Sequence, residues 1–388
     1  MTKSWDFIQE PLQERKKKSL LRQLRTLTPI NGVEVLHQDR KLINFSSNDY
    51  LGLSVHPALQ EAITGFTQKY GSGATASRLV CGTFPCHEAV ESKLAALKGS
   101  ERALIFNSGF QANVTLFPTL AGKNALLLVD KLAHNSILQG TKLSPAKTIR
   151  FQHNNLEHLE KLLQTYAPTQ KFSPIFIATE SVFSMDGDRS DIDALIALAE
   201  KYGAFLVIDE AHATGVLGKK GMGLTAGKNI DLTMGTFGKG CGSFGAYIAC
   251  SAELADYLIN FCPGFIYTTA LPPAVIGAID AALDLIPSME PERRRLLENA
   301  AYLRENLNGM GYETGNSSTQ IIPVILGGEE ETVTLSNWLE ENNILAIPIR
   351  PPTVPPGKAR IRLTLSALHT RTQIDFLLTL FKKRRSRR

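Results

Sequence analysis

From residue 103 to residue 234 the chain alternates short, mostly apolar runs with longer segments of helical spacing. The runs at 103–106, 125–129, 148–151, 174–179, 205–208 and 231–234 largely lack the polar alternation of a half-exposed strand, so both of their faces must be covered. Helical segments at 155–166 and 191–202 lie between them. Strand and helix in regular alternation predict a largely parallel sheet layered by helices. A chain of 388 residues has room for that sheet and a second, smaller domain.

Open α/β sheets bind ligands at the C-terminal ends of their strands, and several polar residues fall there. Asp209 closes the run Phe205-Leu206-Val207-Ile208, with His212 three residues on; His134 follows Asp130, and Glu180 and Ser184 follow Ile177. A carboxylate at such an end suits the protonated ring nitrogen of a pyridoxal-type cofactor, and an imidazole can stack on the ring or hydrogen-bond its phenolic oxygen. Capping of the next turn is the structural alternative for Asp209, and an ordinary loop position is that for His212. Thirty residues beyond Asp209 stands Lys239, wedged between glycines in Thr236-Phe237-Gly238-Lys239-Gly240-Cys241-Gly242. Flanking glycines are tolerated mainly where backbone turns tightly or approaches a ligand, and a desolvated lysine amine captures aldehyde cofactors as a Schiff base. A glycine-rich loop cradling some other phosphate is the rival use.

The run at 103–106 leads into Asn107-Ser108-Gly109-Phe110-Gln111-Ala112-Asn113, which opens a helix and aims backbone N–H groups and the helix dipole at a phosphate. No G-x-x-x-x-G-K-[ST] occurs, so a cofactor's phosphate is favoured over that of a nucleoside triphosphate. Gly71-Ser72-Gly73 follows a helical segment (57–70) rather than a strand, which argues against a dinucleotide fingerprint and for a substrate-facing loop.

Toward the N-terminus, residues 4–27 space Phe7, Ile8, Leu12, Leu20, Leu21 and Leu24 as an amphipathic helix that packs on another surface. Strands are predicted at 32–35 and 42–45, before the polar turn 46–52. Past helices at 252–260 and 273–286, Pro287 and Pro291 mark a boundary. A small α/β unit follows, with helices at 291–308, 331–341 and 371–381 and strands at 321–324, 344–347 and 360–365. The proline-rich loop 350–357 interrupts it, and Arg362 lies in the strand behind. The expected division is 1–55, 56–286 and 287–388.

A formal charge of +5 is mild, and it is concentrated in Arg15-Lys16-Lys17-Lys18 and in 382–388. Solvated, disordered tails account for such runs, with a nucleic-acid or anionic-membrane binder as the rival from another class. Five cysteines without a C-x-x-C pair argue against a disulfide framework or a metal site and for a reducing, cytoplasmic compartment. No apolar segment reaches the ~20 residues of a membrane span.

With these residues in hand, the chain resembles the α-oxoamine synthases, pyridoxal-phosphate enzymes of fold type I. The likeness runs from about Leu12 to about Leu380 and rests on NFSSNDYLGL (44–53), SGFQAN (108–113), SVFSMDGD (181–188), VIDEAHATGV (207–216), TFGKG (236–240) and IRPPTVPPGKARIRLTL (349–365). The resemblance implies a large domain with a mostly parallel seven-stranded sheet and a smaller C-terminal α/β domain. It implies a homodimer with shared active sites, and pyridoxal 5'-phosphate as cofactor. The last motif points to the branch that condenses L-alanine with a pimeloyl thioester, on coenzyme A or an acyl carrier protein, in biotin synthesis; glycine with acetyl-CoA is the alternative.

Carried over by position, Lys239 becomes the Schiff-base lysine, Asp209 the ring-nitrogen partner and His134 the stacking residue. Ser184 and His212 serve the phenolic oxygen. Gly109, Phe110 and Thr236 hold the phosphate, with Thr268 and Thr269 reaching the neighbouring subunit's. Arg22 and Arg362 take the carboxylates of the acyl chain and the amino acid, with Asn48 and Thr353 nearby. Leu79 departs from the pattern, because some close members carry a histidine there, and this bears on the acyl donor.

Overall fold

In the computed structural model, which describes residues 5–386, the chain divides into two units. One comprises Asn48–Ser184 with Asp188–Leu296; the other comprises Met1–Ser47, Met185–Gly187 and Leu297–Arg388.

The first unit is built on a seven-stranded sheet. Its spatial order is Arg102–Phe106, Ala246–Cys250, Leu232–Thr236, Phe205–Asp209, Ile175–Glu180, Leu126–Asp130 and Lys147–Phe151. Alternate residues of the central strands enter opposite cores. Leu127, Val129, Ala178 and Val207 pack under the helices Gly109–Leu120, Asn135–Leu143 and Ala252–Phe261, while Leu126, Leu128, Ile177, Leu206 and Ile208 meet Leu156–Tyr166 and Ile192–Tyr202. This double burial is what the uninterrupted apolar runs encode, at about 1.5–3 kcal/mol for each large side chain removed from water.

All neighbours in the sheet are parallel except Ala246–Cys250, which is antiparallel to both of its own. The sequence reading omits this strand because Gly240, Gly242 and Gly245 precede it and look like a long loop. Its direction has a simple cause. Residues 237–245 alone connect it to Leu232–Thr236, and a parallel return needs a crossover of about a dozen residues or more. The short connection therefore reverses the chain and holds Lys239 at the sheet's edge.

The second unit carries two small sheets. Thr28–Asn31, Glu34–His37 and Arg40–Asn44 form an antiparallel meander, to which Ile344–Leu345 adds in parallel. Ile321–Gly327, Ala359–Thr364 and Pro348–Ile349 form the other. The predicted strand 344–347 is thus split between the two. Met185–Gly187 is tied in by Arg360, which donates to Asp186 (2.6 Å) and to the Met185 carbonyl, and by Thr319, which donates to the Gly187 carbonyl (2.8 Å).

Both ends differ from expectation. The N-terminal helix is only Asp6–Lys17 and buries none of its residues; Ser19, at φ 53, ends it, and Ser4 lies outside the described residues. Its apolar spacing is interrupted by the run 15–18, so the helical face never extends to Leu20, Leu21 and Leu24. The basic run at the other end is ordered as the last turn of the helix Arg371–Arg385, where Arg384 lies over Trp338 and Arg385 over Tyr312. Arg387 and Arg388 lie outside the described residues.

Candidate active site

The strand register explains why chemistry collects at one edge of the large sheet. Asp209 is level with Glu180 on one side and with Met234 on the other, so Thr236 and Lys239 continue just beyond it. The helix Gly109–Leu120 starts at the same edge, capped by Ser108, whose side chain accepts from Gln111 N. The resulting pocket is lined by Gly109, Phe110, Asn113, His134, Ser136, Glu180, Asp209, Ala211, His212, Met234, Thr236 and Lys239. Eight residues singled out from sequence therefore converge: Gly109, Phe110, His134, Glu180, Asp209, His212, Thr236 and Lys239.

Asp209 is held rigidly. One carboxylate oxygen accepts from Asn113 Nδ2 (2.9 Å) and the other from the Ala211 amide (2.9 Å). Asn113 also donates to Ser136 Oγ (3.0 Å), which contacts His134 Nδ1 at 2.7 Å. A single chain of hydrogen bonds thus orients the acid and the imidazole on either side of the pocket. Although the His134 ring keeps an exposed face, the protein around it disfavours its charge and lowers its pKa; Lys239 adds to this and Asp209 opposes it. Across the sheet, burial and the neighbouring Asp209 charge push Glu180 well above the usual carboxylate range. Glu180 Oε1 has no hydrogen-bond partner among the described residues.

Two glycines are required by close approach. A Cβ on Gly109 would lie 2.6 Å from Thr236 Cγ2, so only glycine brings the helix start against the threonine. A Cβ on Gly240 would lie 2.5 Å from the Thr214 carbonyl oxygen, so the lysine loop and the backbone just after His212 touch directly. A helix N-terminus, a threonine hydroxyl, a strand-end carboxylate and a half-buried lysine make a donor set that fits a phosphorylated pyridine aldehyde.

The other predicted residues lie elsewhere. Ser184 is buried outside the pocket lining. Asn107 donates to Thr268 Oγ1 (3.1 Å) and to the Thr269 carbonyl (2.8 Å), away from the pocket. Asn48 contacts the Tyr50 hydroxyl (3.1 Å). In the other unit Arg22 donates to Thr353 Oγ1 (2.9 Å), and both line a cavity of about 1240 Å³ that also includes Arg25, Arg40 and Arg350. Arg362 is buried within the strand Ala359–Thr364. Leu79 is exposed in the turn Arg78–Gly82. Sequence reasoning gave no role to Asn113 or Ser136. Asn113 carries no signal until Asp209 is brought alongside, and Ser136, two residues from His134, is an ordinary residue of a helix start until Asn113 reaches it.

Fold and pocket together define a pyridoxal-phosphate-dependent transferase of fold type I. The family model for aminotransferase class I and II matches residues 40–381. Among solved structures, serine palmitoyltransferase of Sphingomonas wittichii superposes with a TM-score of 0.91 at 29% identity, covering 98% of each chain. An 8-amino-7-oxononanoate synthase from Francisella tularensis gives 0.75 at 31%, over 88% of this chain and 98% of that one. The 8-amino-7-oxononanoate synthase of Gluconacetobacter diazotrophicus is 48% identical over 98% of this chain and 97% of its own. A protein of Desulfosudis oleivorans that carries that name provisionally is 54% identical over 97% of both. The chain belongs to the aminotransferase class I and II family, in the branch of the 8-amino-7-oxononanoate synthases.

Proposed function

We propose that the chain catalyses the decarboxylative condensation of L-alanine with a pimeloyl thioester, on coenzyme A or acyl carrier protein, to give 8-amino-7-oxononanoate, carbon dioxide and the free thiol in biotin synthesis. The observation that carries this reading is the convergence of Lys239 and Asp209 at the N-terminus of Gly109–Leu120, in a chain about half identical to curated relatives of that name. Pyridoxal phosphate, when bound, supplies an electron sink for negative charge at the alanine Cα.

The chain's own residues do the rest. The Lys239 amine would hold the cofactor's aldehyde and would be the group placed to carry the proton of the alanine Cα. Asp209, fixed by Asn113 and the Ala211 amide, accepts from the ring nitrogen and keeps it cationic. His134 would cover the ring and His212 would serve the phenolic oxygen, a role that Ser184, outside the pocket lining, is given by the family resemblance alone. The Gly109 and Phe110 amides and the Thr236 hydroxyl bind the phosphate. Arg22, Arg362, Asn48 and Thr353 receive the substrates. The working form is a cytoplasmic homodimer in which Thr268 and Thr269 reach the partner's phosphate. Among the described residues no helix is long and apolar enough to cross a membrane.

The similarity to serine palmitoyltransferase favours one second reading, an α-oxoamine synthase with another amino acid and acyl chain, such as glycine with acetyl-CoA. A steady-state panel separates them: alanine, glycine and serine, each against pimeloyl, acetyl and palmitoyl thioesters. Turnover confined to alanine with pimeloyl thioester is the expected result, and a preference for glycine with acetyl-CoA overturns it.

A further inference from the structure

The motif NFSSNDYLGL contributes no residue to the pocket lining, yet its residues 48–53, which belong to the first unit, form a tight turn whose second half is buried. The Tyr50 amide donates to the Asn48 carbonyl (2.8 Å). Asp49 accepts from Leu53 N (3.0 Å), Ser54 N (3.2 Å) and Ser54 Oγ (2.6 Å), which fixes the turn against the next helical segment. The Tyr50 ring is fully buried, with its hydroxyl 2.6 Å from His212 Nδ1 and 3.1 Å from Asn48 Oδ1.

A phenolic hydroxyl has one proton, so it donates to only one of these two groups. The contact to His212 is the shorter by half an ångström, and it is satisfied either by the hydroxyl donating to Nδ1 or, if the hydroxyl donates to Asn48 Oδ1, by Nδ1–H donating to the hydroxyl. The structure puts Asn48 Oδ1 on the hydroxyl; with the amide turned over, the Asn48 N–H donates to the hydroxyl oxygen and leaves the hydroxyl's own proton for His212. His212 Nδ1 becomes an acceptor, and the ring's hydrogen resides on Nε2. We propose that Tyr50 is a positioning residue: its hydroxyl fixes His212 in the Nε2–H tautomer, so that the imidazole offers the pocket a hydrogen-bond donor.

This rests on the reading of His212 as partner of the cofactor's phenolic oxygen. An oxygen carrying negative charge needs a donor, and the opposite tautomer would present it with a lone pair. The polar turn chemistry of 46–52 thereby acquires a chemical purpose: Asp49 braces the turn, Tyr50 sets the tautomer, and Asn48 orients Tyr50.

The test begins with cofactor-free protein labelled with 15N at histidine, in which the His212→Phe variant identifies the His212 signals by their loss. Wild type is expected to show Nδ1 at an acceptor-type shift and Nε2 at a protonated-type shift; a protonated Nδ1 overturns the proposal and needs no second variant. Tyr50→Phe is expected to bring both nitrogens to averaged shifts, and an unchanged spectrum in folded Tyr50→Phe is equally fatal. Pyridoxal-phosphate affinity gives the second readout. Tyr50→Phe should weaken it about tenfold, the scale of one hydrogen bond, but less than about twofold when His212 is already Phe. Full additivity sinks the role of Tyr50. An unchanged affinity in His212→Phe alone sinks instead the assignment of His212 to the cofactor.

Discussion

Replacing Lys98 with Met should destabilise the first unit more than any surface charge change, because Lys98 is an ion-pair partner with almost no access to water. Its side chain is 2% exposed and that of its partner Glu210 0%. The ammonium donates to Glu210 Oε2 (2.5 Å), the Met222 carbonyl (2.8 Å) and Thr225 Oγ1 (2.9 Å). Removing one member of a buried pair costs about 3–5 kcal/mol, since the remaining charge keeps its desolvation penalty. Thr225 still donates to Glu210 from its amide (3.0 Å) and hydroxyl (2.6 Å), which favours the lower end of that range. The Met222 carbonyl loses a donor, worth about 1 kcal/mol more. The expected loss is therefore about 4 kcal/mol in urea unfolding at constant m, or a fall of about 10 °C in melting temperature. Replacing Lys98 and Glu210 together with Met should recover most of it, because no charge is then stranded. A single variant costing less than ~1 kcal/mol, or a double variant costing the sum of both singles, would refute the argument.

Lys239→Ala should leave the fold intact and remove both turnover and the visible absorption of the bound cofactor; retained activity excludes the assignment. Asp209→Ala should keep some cofactor but slow turnover by at least ~10²-fold, the scale of a lost electrostatic stabiliser, read in single-turnover assays. Gly109→Ala forces Thr236 aside and should weaken pyridoxal-phosphate binding, measured by titration of the cofactor-free protein, with a stability loss of about 1–3 kcal/mol. His153 lies between Asp130 (3.0 Å) and Asp188 (2.9 Å). Burial disfavours its charge, but hydrogen bonds to both carboxylates outweigh this and raise its pKa to about 10. Because the folded value exceeds the unfolded one, this stabilisation is complete below about pH 6.5 and disappears as pH rises to about 10. Urea unfolding across that window should show a decline that His153→Gln abolishes.

Much of the first unit was legible because its strands are buried on both faces, which leaves an apolar run that few other structures tolerate. The helix at 57–70 has the predicted bounds for a similar reason, with proline at its start and Gly71 at its end. Asp209, His134, His212 and Lys239 could be grouped because they all follow strands, and parallel strands end on one side. Ala246–Cys250 was hidden by the glycines that make the lysine loop possible. Asn113, Ser136 and Tyr50 were hidden for another reason: each acts on a residue 23 to 162 positions away, and local patterning holds no record of that pairing. The basic helix end at 382–385 was misjudged because Trp338 and Tyr312, which receive its arginines, are equally remote.

The reach of the lysine follows from the sheet more than from its loop. Asp209 and Met234 are paired across adjacent parallel strands, about 5 Å apart as in any sheet, and each is locked by buried neighbours on both faces. Lys239 leaves the second strand only three residues after Thr236, and the antiparallel return through Ala246–Cys250 keeps it from wandering. Gly240, pressed on the Thr214 carbonyl, closes the remaining freedom. Amine and carboxylate, thirty residues apart in the chain, are thus held in register by backbone hydrogen bonds that no single side-chain change removes. Variants at Asn113, Tyr50 or Gly109 alter the orientation and protonation of groups around that pair, while the pair itself persists for as long as the sheet does.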